Sequence, residues 1–380
     1  MQKNKTLLYI ANIRLPTEKA HGIQIMNMCS AFSRNGADVT LVVPKRYTAI
    51  TENPFEYYGI PETFAIEYLP TLDFVEWGPL GFLVQVWTFL HSARTYIRKH
   101  PADVVFSRDA KVATIAKKAK TPFLWEVHQA LPFRSVRAAL KYATHIFPIT
   151  HGLKTYYERF GVSPERMAVA HDGITIDPNE KISMHDARVK FGLPKDREIV
   201  AYVGKYRTME EPKGVEAIVD AVAIVRKTRP QAALLLVGLN ETEFPEARAR
   251  CHAAGLAEDS AFLIGHVVHR EALEYMRAAN VLVMNYPNTP HYQYYMSPMK
   301  LFEYMAAERP IVSSDLPSIR EVLSDENATF VSPDDTSALA QGILATLTDT
   351  EDAALRSQRA KEHVSTYTWD ARAKSIISAI

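Results

Sequence analysis

The chain is short of cysteine: 380 residues contain two, Cys29 and Cys251, with no CxxC spacing and no histidine cluster beside them. That argues against a disulfide framework and a structural zinc site, and makes a reducing cytoplasm the expected setting. Glycine is scarce as well, at 15 residues, beside 47% hydrophobic and 23% charged residues. Collagen-like, low-complexity and disordered classes are therefore excluded. Neither GxGxxG nor GxxxxGK[ST] occurs, so NAD binding and P-loop chemistry lose their main sequence support. The opening MQKNKTLLYIANIRLP is apolar for only about five residues, short of a signal-peptide core, and secretion is not expected. No Ser/His/Asp or Cys/His arrangement stands out that would supply a protein nucleophile.

What is present fits a two-domain globular protein. At roughly 100–200 residues per domain, the length suggests two domains, each large enough to bury its own core. The formal net charge is +1, but residues 1–170 hold 21 Lys+Arg against 13 Asp+Glu, while the remainder hold 23 against 30. A basic first half can favour an anionic partner or membrane surface, although an ordinary solvated surface explains the same balance.

Hydrophobic periodicity gives the organisation. TLLYIAN (6–12) reads as a buried strand, Gly22 to Asn35 places Ile25, Met28, Cys29 and Phe32 on one helical face, and DVTLVVP supplies the next strand after Gly36. Short apolar runs recur at AIEYL (65–69), DVVFS (103–107), PFLWEV (122–127), HIFPI (145–149) and MAVA (167–170). After a polar stretch containing Pro178, the rhythm restarts at EIVAYVG (198–204), AALLLVG (232–238), FLIG (262–265), VLVM (281–284), PIVSS (310–314) and ATFV (328–331). Strands alternating with helices predict two Rossmann-like domains with parallel sheets, the boundary falling near residue 172.

In such sheets ligands collect at the carboxyl ends of strands, where helix N-termini offer N–H groups to anions. Four segments lie at such ends: AHG (20–22), EVH (126–128), GKYRTMEEPKG (204–214) and SPMKLFEYMAAERPIV (297–312). Their order and spacing resemble glycosyltransferase family 4, retaining enzymes of GT-B fold, and the likeness spans almost the whole chain. The resemblance implies two Rossmann-like domains facing across a cleft. Residues 1–172, with a terminal helix at 366–380 crossing back, would form the acceptor-binding domain, and residues 173–365 the nucleotide-sugar-binding domain.

The resemblance also implies roles. Gly22 opens the first helix near the donor diphosphate, and His128 sits next to the transferred sugar, where an imidazole can donate to a hydroxyl or orient the acceptor. Lys205 and Lys213, with Arg207 in reserve, hold the donor diphosphate and neutralise the departing phosphate without a metal. Met299 offers its backbone N–H to that phosphate and Lys300 adds a cation. Glu303 matches the acid that accepts the ribose hydroxyls, for which a carboxylate has two acceptor oxygens. Tyr295 stands where the family has the first acid of Glu-x7-Glu. The variant Ser297-Pro298-x-Lys300-x-x-Glu303-Tyr304 therefore lines the donor-sugar region without revealing the sugar. His266 and Val267 would line the base pocket, with UDP the favoured nucleotide. Trp369 reads as a core anchor.

The implied activity is transfer of a hexose from a nucleotide diphosphate sugar to a lipid-linked, saccharide or small-molecule acceptor, in the cytoplasm, with no cofactor, no metal and no nucleic-acid partner. A GT-B nucleotide-sugar 2-epimerase and a non-catalytic nucleotide-sugar-binding scaffold are the alternatives. The segment 74–100 is apolar nearly all round from Leu80 to Leu90 and then basic at Arg94, Arg98 and Lys99. Its apolar part is shorter than the roughly 20 residues that span a bilayer. Two readings stay open for it: a helix lying at the inner face of an anionic membrane, or a helix buried in the domain.

Overall fold

An unbroken apolar run too short for a helix, Leu7 to Ile10, forms the interior of β1 (Lys5–Ile10), which is buried on both faces. The computed structural model describes residues 4–176, 182–208 and 211–379. Pro178 of the polar stretch, and Met209 and Glu210 of the basic loop, lie outside the described residues. The chain divides into two units, Met1–Thr175 with Thr368–Ile380, and Ile176–Tyr367.

In the first unit, β1 is followed by the helix Ala20–Arg34, which buries Ile25, Met28, Cys29 and Phe32 against the sheet. The remaining strands are β2 (Ala37–Pro44), β3 (Ala65–Leu69), β4 (Val104–Ser107), β5 (Phe123–Val127) and β6 (His145–Pro148). All pair in parallel in the order β3-β2-β1-β4-β5-β6. Tyr9 of β1 stands level with Leu41 on one side and Phe106 on the other. The order reverses between β1 and β4, and this places the natural ligand crevice of the sheet at their carboxyl ends.

The second unit repeats the plan. Its strands are β7 (Glu198–Val203), a short antiparallel pair β8 (Arg207–Thr208) and β9 (Glu211–Pro212), then β10 (Ala232–Leu239), β11 (Ala261–Gly265), β12 (Val281–Met284), β13 (Ile311–Ser314) and β14 (Thr329–Val331). The sheet order is β11-β10-β7-β12-β13-β14, all parallel, so its switch point lies between β7 and β12. Val215, Ile218, Val219 and Val222 of the helix Val215–Arg226 pack with Val200, Leu234 and Leu236 into one core.

The last helix, Trp369–Ile377, belongs to the first unit. Thr368 caps it by accepting from the Ala371 N–H at 3.1 Å. Trp369, Ala373 and Ile376 are buried, the helix packs on Ala20–Arg34, and Arg34 pairs with Asp370 at 2.9 Å. One expectation needs correction. MAVA is not a full strand: Met167 makes a single bridge to Ile146, and the run stays on the edge of β6 only through the Ala168 and Ala170 N–H groups, which donate to the Ile146 and Pro148 carbonyls at 3.1 and 2.8 Å. The basic loop after β7 contains the β8–β9 pair. Segment 74–100 is a turn, Val75–Trp77, followed by the helix Pro79–Lys99, which buries Gln85, Val86, Phe89, Ala93 and Ile97. Among the described residues no helix is long and apolar enough to cross a membrane.

Trp369 is 3% exposed, and removing a buried tryptophan side chain costs about 3–5 kcal/mol. Trp369→Ala is therefore expected to lower the unfolding free energy of the first unit by that amount. A urea-unfolding midpoint unchanged from wild type would contradict the packing described.

Candidate functional site

In the first unit the site is built around one carboxylate. Glu126 is the fourth residue of β5, fully buried in a strand otherwise made of Phe123, Leu124, Trp125 and Val127. Its Oε2 accepts from Arg372 Nη1 at 2.8 Å and its Oε1 from Gln24 Nε2 at 2.8 Å. His128 Nε2 also bonds Oε1, and Arg108 lies 3.8 Å away. Arg372 is fixed in turn by the carbonyls of His171, at 2.8 Å, and Ala170, at 3.2 Å. Burial alone would raise the Glu126 pKa, but Arg372, His128 and Arg108 more than reverse it and hold the carboxyl well below its usual range.

An ionised Glu126 can only accept, so the His128 nitrogen facing it carries the proton. Burial, helped by Arg108, keeps the imidazole below its ordinary pKa despite the pull of Glu126, so the ring is neutral at pH 7. The remaining nitrogen, Nδ1, is then an acceptor. His128 stands just past the end of β5, beside the β1/β4 switch point, and presents a fixed acceptor to a hydroxyl group.

Gly22 lies in the first turn of the helix after β1, but its N–H is bonded to the Lys19 carbonyl at 2.9 Å. A Cβ there would meet the Tyr58 hydroxyl at 2.2 Å, and that hydroxyl ties both backbone groups of Thr17 at 2.8 Å. Close packing accounts for this glycine, and its N–H is not available as the free donor expected.

In the second unit three lysines gather at the carboxyl ends of β7 and β12. Lys300, on the helix Met299–Ala306, is 8% exposed, its Nζ has no hydrogen-bond partner among the described residues, and it lies 3.4 Å over the Tyr202 ring. A Cβ on Gly204, directly after β7, would come within 2.7 Å of that Nζ. Burial and then Lys213 push the Lys300 amine well below its usual range, against the pull of Glu303. Burial and then Lys205 push Lys213 down to about 8, with Glu243 opposing. Cations that destabilise one another in a half-dry site are stabilised by an anion.

The Lys213 loop is clamped from behind. Gly214, at φ +69°, precedes the helix Val215–Arg226, and a Cβ there would lie 2.0 Å from the Asn285 carbonyl oxygen. Asn285, just past β12, donates to the Gly214 carbonyl at 3.0 Å and accepts from Ser314 at 3.3 Å. Arg207, expected as a reserve cation, is instead engaged by Glu246, with Glu216 at 3.6 Å.

Glu303 is partly buried and its Oε1 bonds His269 Nε2 at 2.8 Å, leaving Oε2 for another donor. Pro298 is the N-cap of the Met299–Ala306 helix, so Met299 and Lys300 lie in its first turn. Ser297 and Tyr295 lie on the segment leading into that helix, both partly buried. His266 is exposed and Val267 partly buried, directly after β11. Sequence reasoning missed Glu126, Gln24, Arg372, Asn285 and His269. Only Glu126 carried a signal, an acid inside an apolar strand two residues before His128.

Comparison with known proteins adds three findings. The family model described as Glycosyltransferase Family 4 matches residues 22–178, and that described as Glycosyl transferases group 1 matches residues 197–349. The phosphatidyl-myo-inositol mannosyltransferase of Mycolicibacterium smegmatis is 31% identical over 216 residues, 56% of this chain and 51% of that protein. The chain spans about half the length of the curated relatives it matches. Among solved structures, a sucrose-phosphate synthase from Thermosynechococcus elongatus aligns with a TM-score of 0.77 at 19% identity, over 99% of this chain and 98% of that one. Anabaena HepE in complex with UDP-glucose aligns with a TM-score of 0.75 at 16% identity, over 99% and 100%. At these identities the structural likeness establishes the fold.

The Glu126 cluster makes its own prediction. Removing one partner of a buried ion pair costs about 3–5 kcal/mol, so Arg372→Met should destabilise the first unit by that amount at pH 7. Glu126 has a depressed folded pKa, so its contribution is fully present above the unfolded carboxyl value of about 4.3 and is lost as pH falls toward the folded one. The gap between wild type and variant should therefore narrow in strong acid. Chemical unfolding at pH 7 and pH 3 checks this, and a gap that widens in acid would refute it.

Proposed function

We propose, on the premise that the chain belongs to glycosyltransferase family 4 and has the two-domain GT-B fold, that it is a retaining glycosyltransferase. It moves a hexose from a nucleotide diphosphate sugar to an acceptor. The observation that carries this reading is the lysine cluster of the second unit, whose buried Lys300 amine has no hydrogen-bond partner among the described residues, beside a Lys213 whose pKa is pushed down to about 8. A diphosphate supplies several negative oxygens at once and balances the charge of all three lysines.

Lys205, Lys213 and Lys300 hold the donor diphosphate, and the first turn at Met299 and Lys300 adds N–H groups and the positive end of its helix. Arg207 stays with its acids until a ligand competes for it. Glu303, oriented by His269, offers Oε2 to the ribose hydroxyls, and the backbone at His266 and Val267 meets the base. Ser297, Pro298 and Tyr295 border the donor sugar. His128 accepts a hydrogen bond from a hydroxyl of the transferred sugar. Cleavage of the bond between sugar C1 and the diphosphate oxygen is matched by a new bond from the acceptor oxygen on the same face. The acceptor proton passes to the leaving phosphate oxygen, so no protein nucleophile is needed. The three cations neutralise the charge that develops there, a task that otherwise falls to a metal.

UDP is the favoured nucleotide, which the UDP-glucose complex of HepE supports. The mannosyltransferase relatives are named for phosphatidyl-myo-inositol, and this supports a lipid-linked acceptor and a cytoplasmic protein working at the inner face of a membrane.

Calorimetry with UDP, GDP and ADP should show binding strongest for UDP. Lys213→Ala should weaken it by roughly 1.5–3 kcal/mol, the range for charge-assisted hydrogen bonds. Because the diphosphate favours the charged amine, binding should take up protons near pH 8 and weaken as pH rises above it. No nucleotide binding, or binding indifferent to both the mutation and pH, would overturn the diphosphate assignment.

His128→Ala should lower turnover by orders of magnitude while UDP affinity survives. Turnover within about threefold of wild type would remove His128 from the reaction. A free epimerised sugar in place of a glycoside product would replace transfer by epimerisation.

A further inference from the structure

The helix Pro79–Lys99 has two apolar sides and the first unit covers only one of them. Gln85, Val86, Phe89, Ala93 and Ile97 face the core. The opposite stripe, Leu80, Leu83, Val84 and Trp87 at positions i, i+3, i+4 and i+7, faces water, with Leu80 77%, Leu83 59% and Trp87 69% exposed. Trp77, 76% exposed, extends it and is held outward by stacking on Phe74 at 4.5 Å. Leu72, 51% exposed, borders it on a loop whose Leu72 N–H bonds Thr88 at 3.1 Å. Burial inside the domain thus explains half of the helix's apolar surface and leaves the rest unexplained.

The helix itself carries charge of one sign. From Gly78 to Ala102 the sequence has no acid, and the same outward face continues through His91 to the exposed Arg98, with Lys99 beside it. Of the acids near it, Asp73 is neutralised by Arg46 at 3.0 Å, Glu76 is exposed beside Trp77, and Glu67 of β3 is close enough to Tyr96 to add to burial in raising the pKa of that phenol. A second copy of this chain is the competing occupant, and a contact between copies would show as self-association in solution. Aromatic side chains at the margin, leucine between them and arginine at one end are instead the composition of a helix lying in a lipid interface.

We propose that the face formed by Leu72, Trp77, Leu80, Leu83, Val84 and Trp87 inserts into the interfacial layer of a bilayer, with Arg98 and Lys99 against anionic headgroups. This deepens the membrane part of the proposed function, on which it rests only for the identity of the lipid-linked acceptor. The helix lies along the surface, and its inserted part from Leu80 to Trp87 is roughly 10 Å long.

The test is sedimentation of the full chain with phosphatidylcholine vesicles, with and without phosphatidylglycerol, at low and high salt. Wild type should pellet with the anionic vesicles, and less at high salt. Leu83→Ser with Trp87→Ser should reduce partitioning at least tenfold, while Arg98→Gln and Lys99→Gln should each reduce it about fivefold on anionic vesicles. Trp125 and Trp369 are already buried, so a vesicle-induced blue shift of tryptophan emission would report Trp77 and Trp87. Failure of wild type to pellet at low salt, or equal pelleting of the Leu83/Trp87 variant, would overturn the proposal. So would self-association in solution that this double variant abolishes, since the face would then be a contact between copies. UDP affinity of the variant should equal that of wild type, so the outcome here stands apart from the fate of the transferase reading.

Discussion

The first unit is organised around a buried negative charge that cannot be left alone. An uncompensated carboxylate inside a β-strand would cost several kcal/mol, and Glu126 is compensated from three directions of the chain. Gln24 comes from the helix after β1, Arg108 from the end of β4, and Arg372 from the last helix. His128 joins as the fourth partner, and its proton, its tautomer and its open Nδ1 all follow from Glu126 being ionised. The geometry of the histidine is thus a consequence of an electrostatic constraint two residues away.

The second unit shows the opposite device. Its lysines are left without enough negative charge, and Lys300 rests on the face of Tyr202 in place of a carboxylate. The arrangement is a standing cost to the fold, of the kind that a bound anion would offset. Gly204 and Gly214 let the backbone come close to Lys300 and Asn285 at the two ends of the loop before the helix.

Much of this was legible in the sequence and some was not, for physical reasons. Both parallel sheets could be read because strands buried on two faces must be apolar runs, and β7, β10 and β12 stand out as such. MAVA satisfied the same pattern and does run along the free edge of β6, but it makes one bridge there and no full strand, because periodicity carries no information on how completely a run pairs. Lys213 and Lys300 could be placed at strand ends by motif, but their mutual repulsion depends on distances that the sequence does not contain. Gly22 shows the converse: a glycine at a helix start fits an anion site by pattern, and in the structure it is occupied by Tyr58, 36 positions later in the chain. The outward stripe of Leu80, Leu83 and Trp87 was visible as apolar residues, but only the structure shows which face of that helix the core uses.

The partner least legible from sequence is Arg372, because its contact with Glu126 joins positions 246 residues apart. A loop of that length costs little more to close than one half as long, since the entropic penalty grows only logarithmically. The distant helix therefore reaches this position at small extra cost, and Trp369, Ala373 and Ile376 provide the apolar burial that holds it there. Once docked, it delivers a guanidinium to a carboxylate that Arg108, at 3.8 Å and partly solvated, neutralises only weakly. Without that guanidinium Glu126 would tend toward its neutral, protonated form. Its oxygen could then donate, and the fixed Nε2–H arrangement of His128 would no longer be enforced. The state of the His128 ring accordingly depends on a helix that the chain reaches only after it has passed through the whole of the second unit.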